Sequence, residues 1–253
     1  MIRSFFFLFL LAFAYTTKAC INEKKALLSG EHVIGYGRED VPTGRSFGDT
    51  QYLTAQLYEL DKLWKTKKNI DDYSDYGVYL IYLGRYQDAK AVFYEIENMY
   101  PSRYATAANI GTIYELLGNN DSALYWIKEA VRIDPSSHMG SEWLHVKILE
   151  AKIKGDEAIN SHFLLGTDFG NDVKPHANMS QVELEKLRDA LYFQLNERVS
   201  FIKPEDKIVG LLLFELGNIT ALTDDVTAAL RNYDKAVEYG FVNDVLKKRY
   251  EHF

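Results

Sequence analysis

Apolar residues recur at helical spacing along most of this chain. Within 50–67, Leu53, Leu57, Leu60 and Trp64 stand at i, i+4, i+7 and i+11, one face of a 3.6-residue turn, and predict a first helix. Asp49 is placed to cap its start, and Lys65, Lys67 and Lys68 sit where the negative end of its dipole falls. A longer order lies over this one. Gly77 returns as Gly111, Gly84 as Gly118, Ala89 as Ala123, Phe93 as Ile127 and Pro101 as Pro135, each 34 residues on. A period of that length, with small residues at fixed places, marks stacked helix–turn–helix units.

The units are read at 70–103 and 104–137, with a partial third at 138–154 whose apolar stripe is Trp143, Val146, Leu149 and Ile153. After Gly155 the pattern lapses, and 155–209 is an irregular block. It begins with a short helix near 156–165 and a polar loop, Gly166 to Pro175. Ser180 and Glu183 form a capping box that opens a helix bearing Leu184, Leu187, Leu191 and Leu195 on one face. The repeat spacing resumes at 210–243, where Ala229 follows Gly217 as Ala89 follows Gly77, and 242–251 reads as a C-terminal capping helix. Solenoids need such a cap because the last unit would otherwise expose its apolar face.

These residues resemble the tetratricopeptide repeat. Tyr73, Gly77, Leu80, Gly84, Tyr86, Ala89, Phe93, Ile96 and Pro101 carry the likeness in one unit. Ala107, Gly111, Tyr114, Gly118, Ala123, Ile127, Ala130 and Pro135 carry it in the next. The resemblance implies an all-α, right-handed solenoid of antiparallel helix pairs with an irregular middle block, about nine or ten helices in all. It further implies a concave groove lined by the first helix of each pair. The groove positions are Ser74, Val78, Ile81 and Tyr82, then Ala108, Asn109, Thr112 and Leu116, then Glu142 and Val146. Such a groove holds a protein or peptide, and exchanging Ile81 and Leu116 for aspartate is expected to abolish binding without unfolding the chain. The carboxylate clamp known in this family uses Lys, Asn, Asn, Lys and Arg. At the matching positions Ser74, Val78, Asn109, Met139 and Trp143 only Asn109 fits, which argues against a chaperone-tail partner.

The N-terminus sets the location. Ser4 to Tyr15 is an uncharged apolar run behind Arg3, too short to span a bilayer and suited to a secretory signal over 1–19. Cys20, the only cysteine in the chain, follows Ala19 directly. This resembles a bacterial lipoprotein signal, although Thr17 and Lys18 depart from the usual residues before the cysteine. The implied location is the bacterial envelope, with the chain membrane-anchored through a lipid on Cys20; a soluble periplasmic or secreted chain is the alternative. The whole arrangement resembles repeat-bearing lipoproteins of Bacteroidetes-type bacteria. Residues 20–48 hold Gly30, Gly35, Gly37, Gly44 and Gly48 and read as a tether, with Val33, Ile34, Tyr36 and Phe47 packing in places; 49–253 is the helical domain.

Composition narrows the chemistry. The net charge is −7, nearer −9 once Arg3 and Lys18 are removed, and no Lys/Arg stripe stands out, which disfavours nucleic acid and anionic lipid headgroups as partners. A single cysteine excludes an intramolecular disulfide. His32, His138, His145, His162, His176 and His252 form no HExxH motif and no close cluster with Asp or Glu in sequence, and are read as structural or surface residues. No cofactor fingerprint occurs. Asp168, Asn171 and Asp172 carry the oxygens a hard cation takes but read as a solvated loop. The favoured function is a non-catalytic envelope scaffold. A helical enzyme or enzyme inhibitor with its site in 155–179, and a self-associating homo-oligomer, are the alternatives.

Overall fold

The computed structural model describes residues 41–45, 47–223 and 225–253. Among these, ten helices of nine residues or more, two single α-turns and one 3-10 turn form an all-α solenoid of antiparallel helix pairs. The expected signal over 1–19, Cys20, Val33, Ile34 and Tyr36 lie outside the described residues.

Helix α1 (Thr50–Lys67) starts at Asp49, whose carboxylate accepts from the Tyr52 N–H. It packs on α2 (Ile70–Tyr82), which pairs with α3 (Tyr86–Met99). Then come α4 (Tyr104–Leu116) and α5 (Asn120–Ile133), the same pair one period later. The turn between partners is built identically in both. Gly84 at φ 71° gives its N–H to the Ile81 carbonyl and Arg85 gives its own to Leu80; Gly118 at φ 76° bonds Glu115 and Asn119 bonds Tyr114. This left-handed step satisfies the last carbonyls of the helix, and glycine takes it without strain.

The second fixed glycine serves close approach. A Cβ on Gly77 would lie 2.7 Å from Phe93, one on Gly111 2.6 Å from Ile127 and one on Gly217 2.5 Å from Tyr233. Each glycine meets the large residue one helix later in its own pair. Gly111→Ala is therefore expected to lose stability: overpacking costs about 1–3 kcal/mol, against a helix-propensity gain of up to about 1 kcal/mol. Urea unfolding checks it, and a stabilised variant would show that the helices stand further apart.

The single turn α6 (Ser137–Gly140) leads into α7 (Glu142–Lys154). Here the sequence stripe needs correction. Trp143 and Ile153 are exposed, while Leu144, His145, Ile148, Leu149 and Ala151 are buried. The reason is that α7 has two neighbours: Leu149 joins Ala123 and Ile127, whereas Leu144, Ile148 and Ala151 join the C-terminal core. The helix expected near 156–165 is split into a 3-10 turn (Asp156–Ala158) and α8 (Ser161–Leu165), which Asn160 caps. Helix α9 (Gln181–Phe201) opens on the capping box of Ser180 and Glu183. Helices α10 (Lys207–Thr223) and α11 (Val226–Glu238) form the last pair, and α12 (Asp244–His252) closes the end.

The apolar interior falls into two main bodies. One unites α1–α4 around Leu60, Leu80, Phe93, Ile96 and Ile113. The other unites α7–α12 around Leu144, Leu164, Leu191, Leu212 and Tyr233.

Candidate functional site

The predicted groove residues do not line an open surface. Ser74, Val78 and Ile81 on α2, Ala108 and Asn109 on α4, and Glu142 on α7 are all 4% exposed or less. Tyr82, Thr112, Leu116 and Val146 are half-buried. Val78 and Ile81 pack within the core of α1–α4, and Ala108 packs with Tyr104, Ala107 and Ala130; over the same face lies α9, which has two buried sides. Leu184, Leu187, Leu191, Leu195 and Val199 belong to the C-terminal core. From its other side Phe193 stacks on His138 at 5.2 Å between ring centres, and Gln194 donates to the Ser141 hydroxyl at 3.1 Å. On the same side Arg198 reaches Glu115 of α4, and Phe201 lies 6.4 Å from Tyr82 of α2. The chain's own helix occupies its concave face.

Under α9 lies a buried charge network that the sequence reading missed. Glu115 accepts from His145 Nε2, Lys152 Nζ and Arg198 Nη1, each at 2.7 Å. His145 Nδ1 stands 3.5 Å from Glu142, Glu142 is also paired with His138, and the Tyr104 hydroxyl reaches both His138 and Glu142. Thus His138, Glu142 and His145 do cluster, contrary to the reading of six isolated histidines. Glu142 and His145, three residues apart, share one face of α7, a signal present in the sequence, whereas His138 enters from the separate turn α6. Glu115 and Arg198 come from distant helices and left no local sign.

Burial by itself would raise the Glu115 carboxyl, but Arg198, His145 and Lys152 outweigh it and hold it well below the usual range. Glu142 is likewise lowered, against burial, by His138 and His145. Burial and Arg198 oppose a proton on His145, yet the two carboxylates win and raise its pKa. The carboxylates therefore add stability that is present above about pH 4.3 and lost as pH falls further. His145 adds stability that is full below about pH 6.5 and lost as pH rises through its raised value. His145→Gln should abolish that alkaline loss, compared with wild type by urea unfolding across pH; identical alkaline limbs would remove His145 from the network.

A second element lies on the same face. Residues 41–45 with 47 and 48 form a strap without regular secondary structure against the last turns of α9. The Gly44 N–H donates to Asn196 Oδ1 at 2.9 Å, the Arg45 N–H donates to the Ser200 hydroxyl at 2.8 Å, and the Arg45 guanidinium pairs with Glu197. Phe47 stacks on Tyr82 at 4.0 Å and meets Phe201 at 5.0 Å.

In the 155–179 segment, Asp168 and Asp172 face solvent, and Asp168 accepts from the Gly170 N–H. The carbonyls of Phe169, Gly170 and Asp172 instead take the buried guanidinium of Arg249. The positive charge within this loop thus comes from the chain itself. Beside it, Ser161 and Asn218 donate to Glu215, whose carboxyl is nonetheless pushed up by burial. Among the described residues, no group of three or more His, Cys, Asp or Glu is arranged to hold a metal ion, and no helix is long and apolar enough to cross a membrane.

Residues 105–137, which span nearly all of α4 and α5, match the tetratricopeptide repeat family model. No curated protein matches the chain. Among solved structures, the chain is similar to the MamA RS-1 ArsTM double mutant, at 17% identity over 75% of this chain and 86% of that one, with a TM-score of 0.39.

Proposed function

We propose that this chain is a non-catalytic scaffold that binds a protein or peptide partner on its concave side, held at a bacterial envelope through its N-terminus. One observation carries the reading: the concave side already grips the non-helical Gly44, Arg45 and Phe47 through backbone hydrogen bonds, an ion pair and an aromatic slot. Repeat solenoids use such surfaces for protein partners. The buried histidines and carboxylates suit this role, since they bond to one another across helices and act as ties. The short apolar run and Cys20 support the envelope location from sequence alone.

Crosslinking of the tagged full-length chain in its native host tests the proposal. The expected result is one dominant neighbour linked through Lys203, an exposed lysine just beyond α9. Links only between copies of this chain, or absence from the membrane fraction, would count against it.

A further inference from the structure

The strap's seat reads as a peptide-recognition site in its own right, and this step rests on the scaffold reading. Asn196, Glu197 and Ser200 project from one side of α9 and are 6%, 3% and 9% exposed. Buried polar groups are expensive to leave unmet, and a helix that merely packed on the repeats would carry apolar residues there. What meets these three is the strap: two backbone N–H groups, which any peptide offers, and one guanidinium. The rest of the seat is the slot between Tyr82 and Phe201.

The seat also dictates the residue before the arginine. Gly44 has φ +80°, and a Cβ there would lie 3.0 Å from the Ser200 nitrogen and 3.2 Å from its Cα. Only glycine sits there without moving the α9 backbone. Three features are therefore read in order: a glycine, an arginine next to it and an aromatic two residues later.

We infer that this seat binds a non-helical segment of a partner protein with the pattern Gly-Arg-x-aromatic, and that Gly44, Arg45 and Phe47 occupy it in cis until such a segment displaces them. The strap is joined to α1 through exposed Gly48, also at φ +80°, so it can swing without disturbing that helix. Its cis attachment gives it an effective concentration of about millimolar, which a partner must overcome.

The test uses the full chain and a labelled nonapeptide, Ala-Ala-Ser-Gly-Arg-Ala-Phe-Ala-Ser, that shares only the pattern with 41–49. Weakening the strap by Arg45→Ala with Phe47→Ala should tighten peptide binding by about tenfold or more, read by fluorescence anisotropy. Adding Glu197→Gln, or replacing the peptide's arginine by alanine, should abolish it. Excess peptide should also speed hydrogen exchange at the Gly44 and Arg45 amides of the wild-type chain while leaving α10 unchanged, which decides the matter even where the double variant does not fold. No strap exposure in the wild type, together with equal or absent binding in a folded double variant, overturns the inference. So does a strap-exchanged dimer that ignores the peptide, since the occupant would then be a second copy. A native partner crosslinked while the peptide fails to bind removes this inference alone and leaves the scaffold reading standing.

Discussion

Glu115→Ala is expected to lower the unfolding free energy by about 3–5 kcal/mol, the usual cost of removing one partner from a buried ion pair. The carboxylate binds three cationic side chains, and two of them, His145 and Arg198, are themselves buried. Alanine would take from both their shared partner where water reaches poorly, and that penalty exceeds the loss of the contacts. Lys152, with its side chain 21% exposed, can turn to solvent, so Lys152→Ala should cost under about 1 kcal/mol. Chemical denaturation followed by circular dichroism compares the two. A Glu115→Ala loss below 1 kcal/mol would mean that the network is hydrated and that α9 is held by its apolar side alone.

Ile81→Asp is expected to unfold the chain, contrary to the sequence-based expectation that it would only block a partner. Ile81 is 1% exposed within the N-terminal core. Losing its packing costs about 2–4 kcal/mol, and burying an unpartnered polar group adds about 1–3 kcal/mol. That sum approaches the whole stability of an ordinary domain. Leu116→Asp, at a half-buried position, should keep native helicity. Circular dichroism of the two single variants decides this, and a cooperative native melt for Ile81→Asp would contradict its burial.

The fold was legible where packing leaves a fixed mark. Gly77, Gly111 and Gly217 had to be small because a helix passes within contact distance, and Gly84 and Gly118 had to reverse the chain. Those demands recur with the repeat and so print a period. The groove was not legible, because its occupant obeys no local rule. Leu184, Leu187, Leu191 and Leu195 announced one side of α9, while nothing local marks Gln194, Glu197 and Arg198 as buried. Polar residues are mostly exposed, and buried ones are revealed only by partners far along the chain. Arg198 finds its partner 83 residues away. Glu142 and His145 were the readable part of the site: their spacing on one helix held the signal, although the metal-site motifs usually sought pass over it.

That 83-residue separation has a consequence during synthesis. A ribosome adding about 5–20 residues per second needs roughly 4–17 s to travel from Glu115 to Arg198. For that interval the finished repeats wait on the nascent chain with their inner face uncovered. What they show there includes Glu115, Ser141 and His145, side chains that water solvates readily. Leu144 and Ile148 wait there too for the leucines of α9, so charge fastens one side of the late-arriving helix and keeps that part of the waiting face wetted.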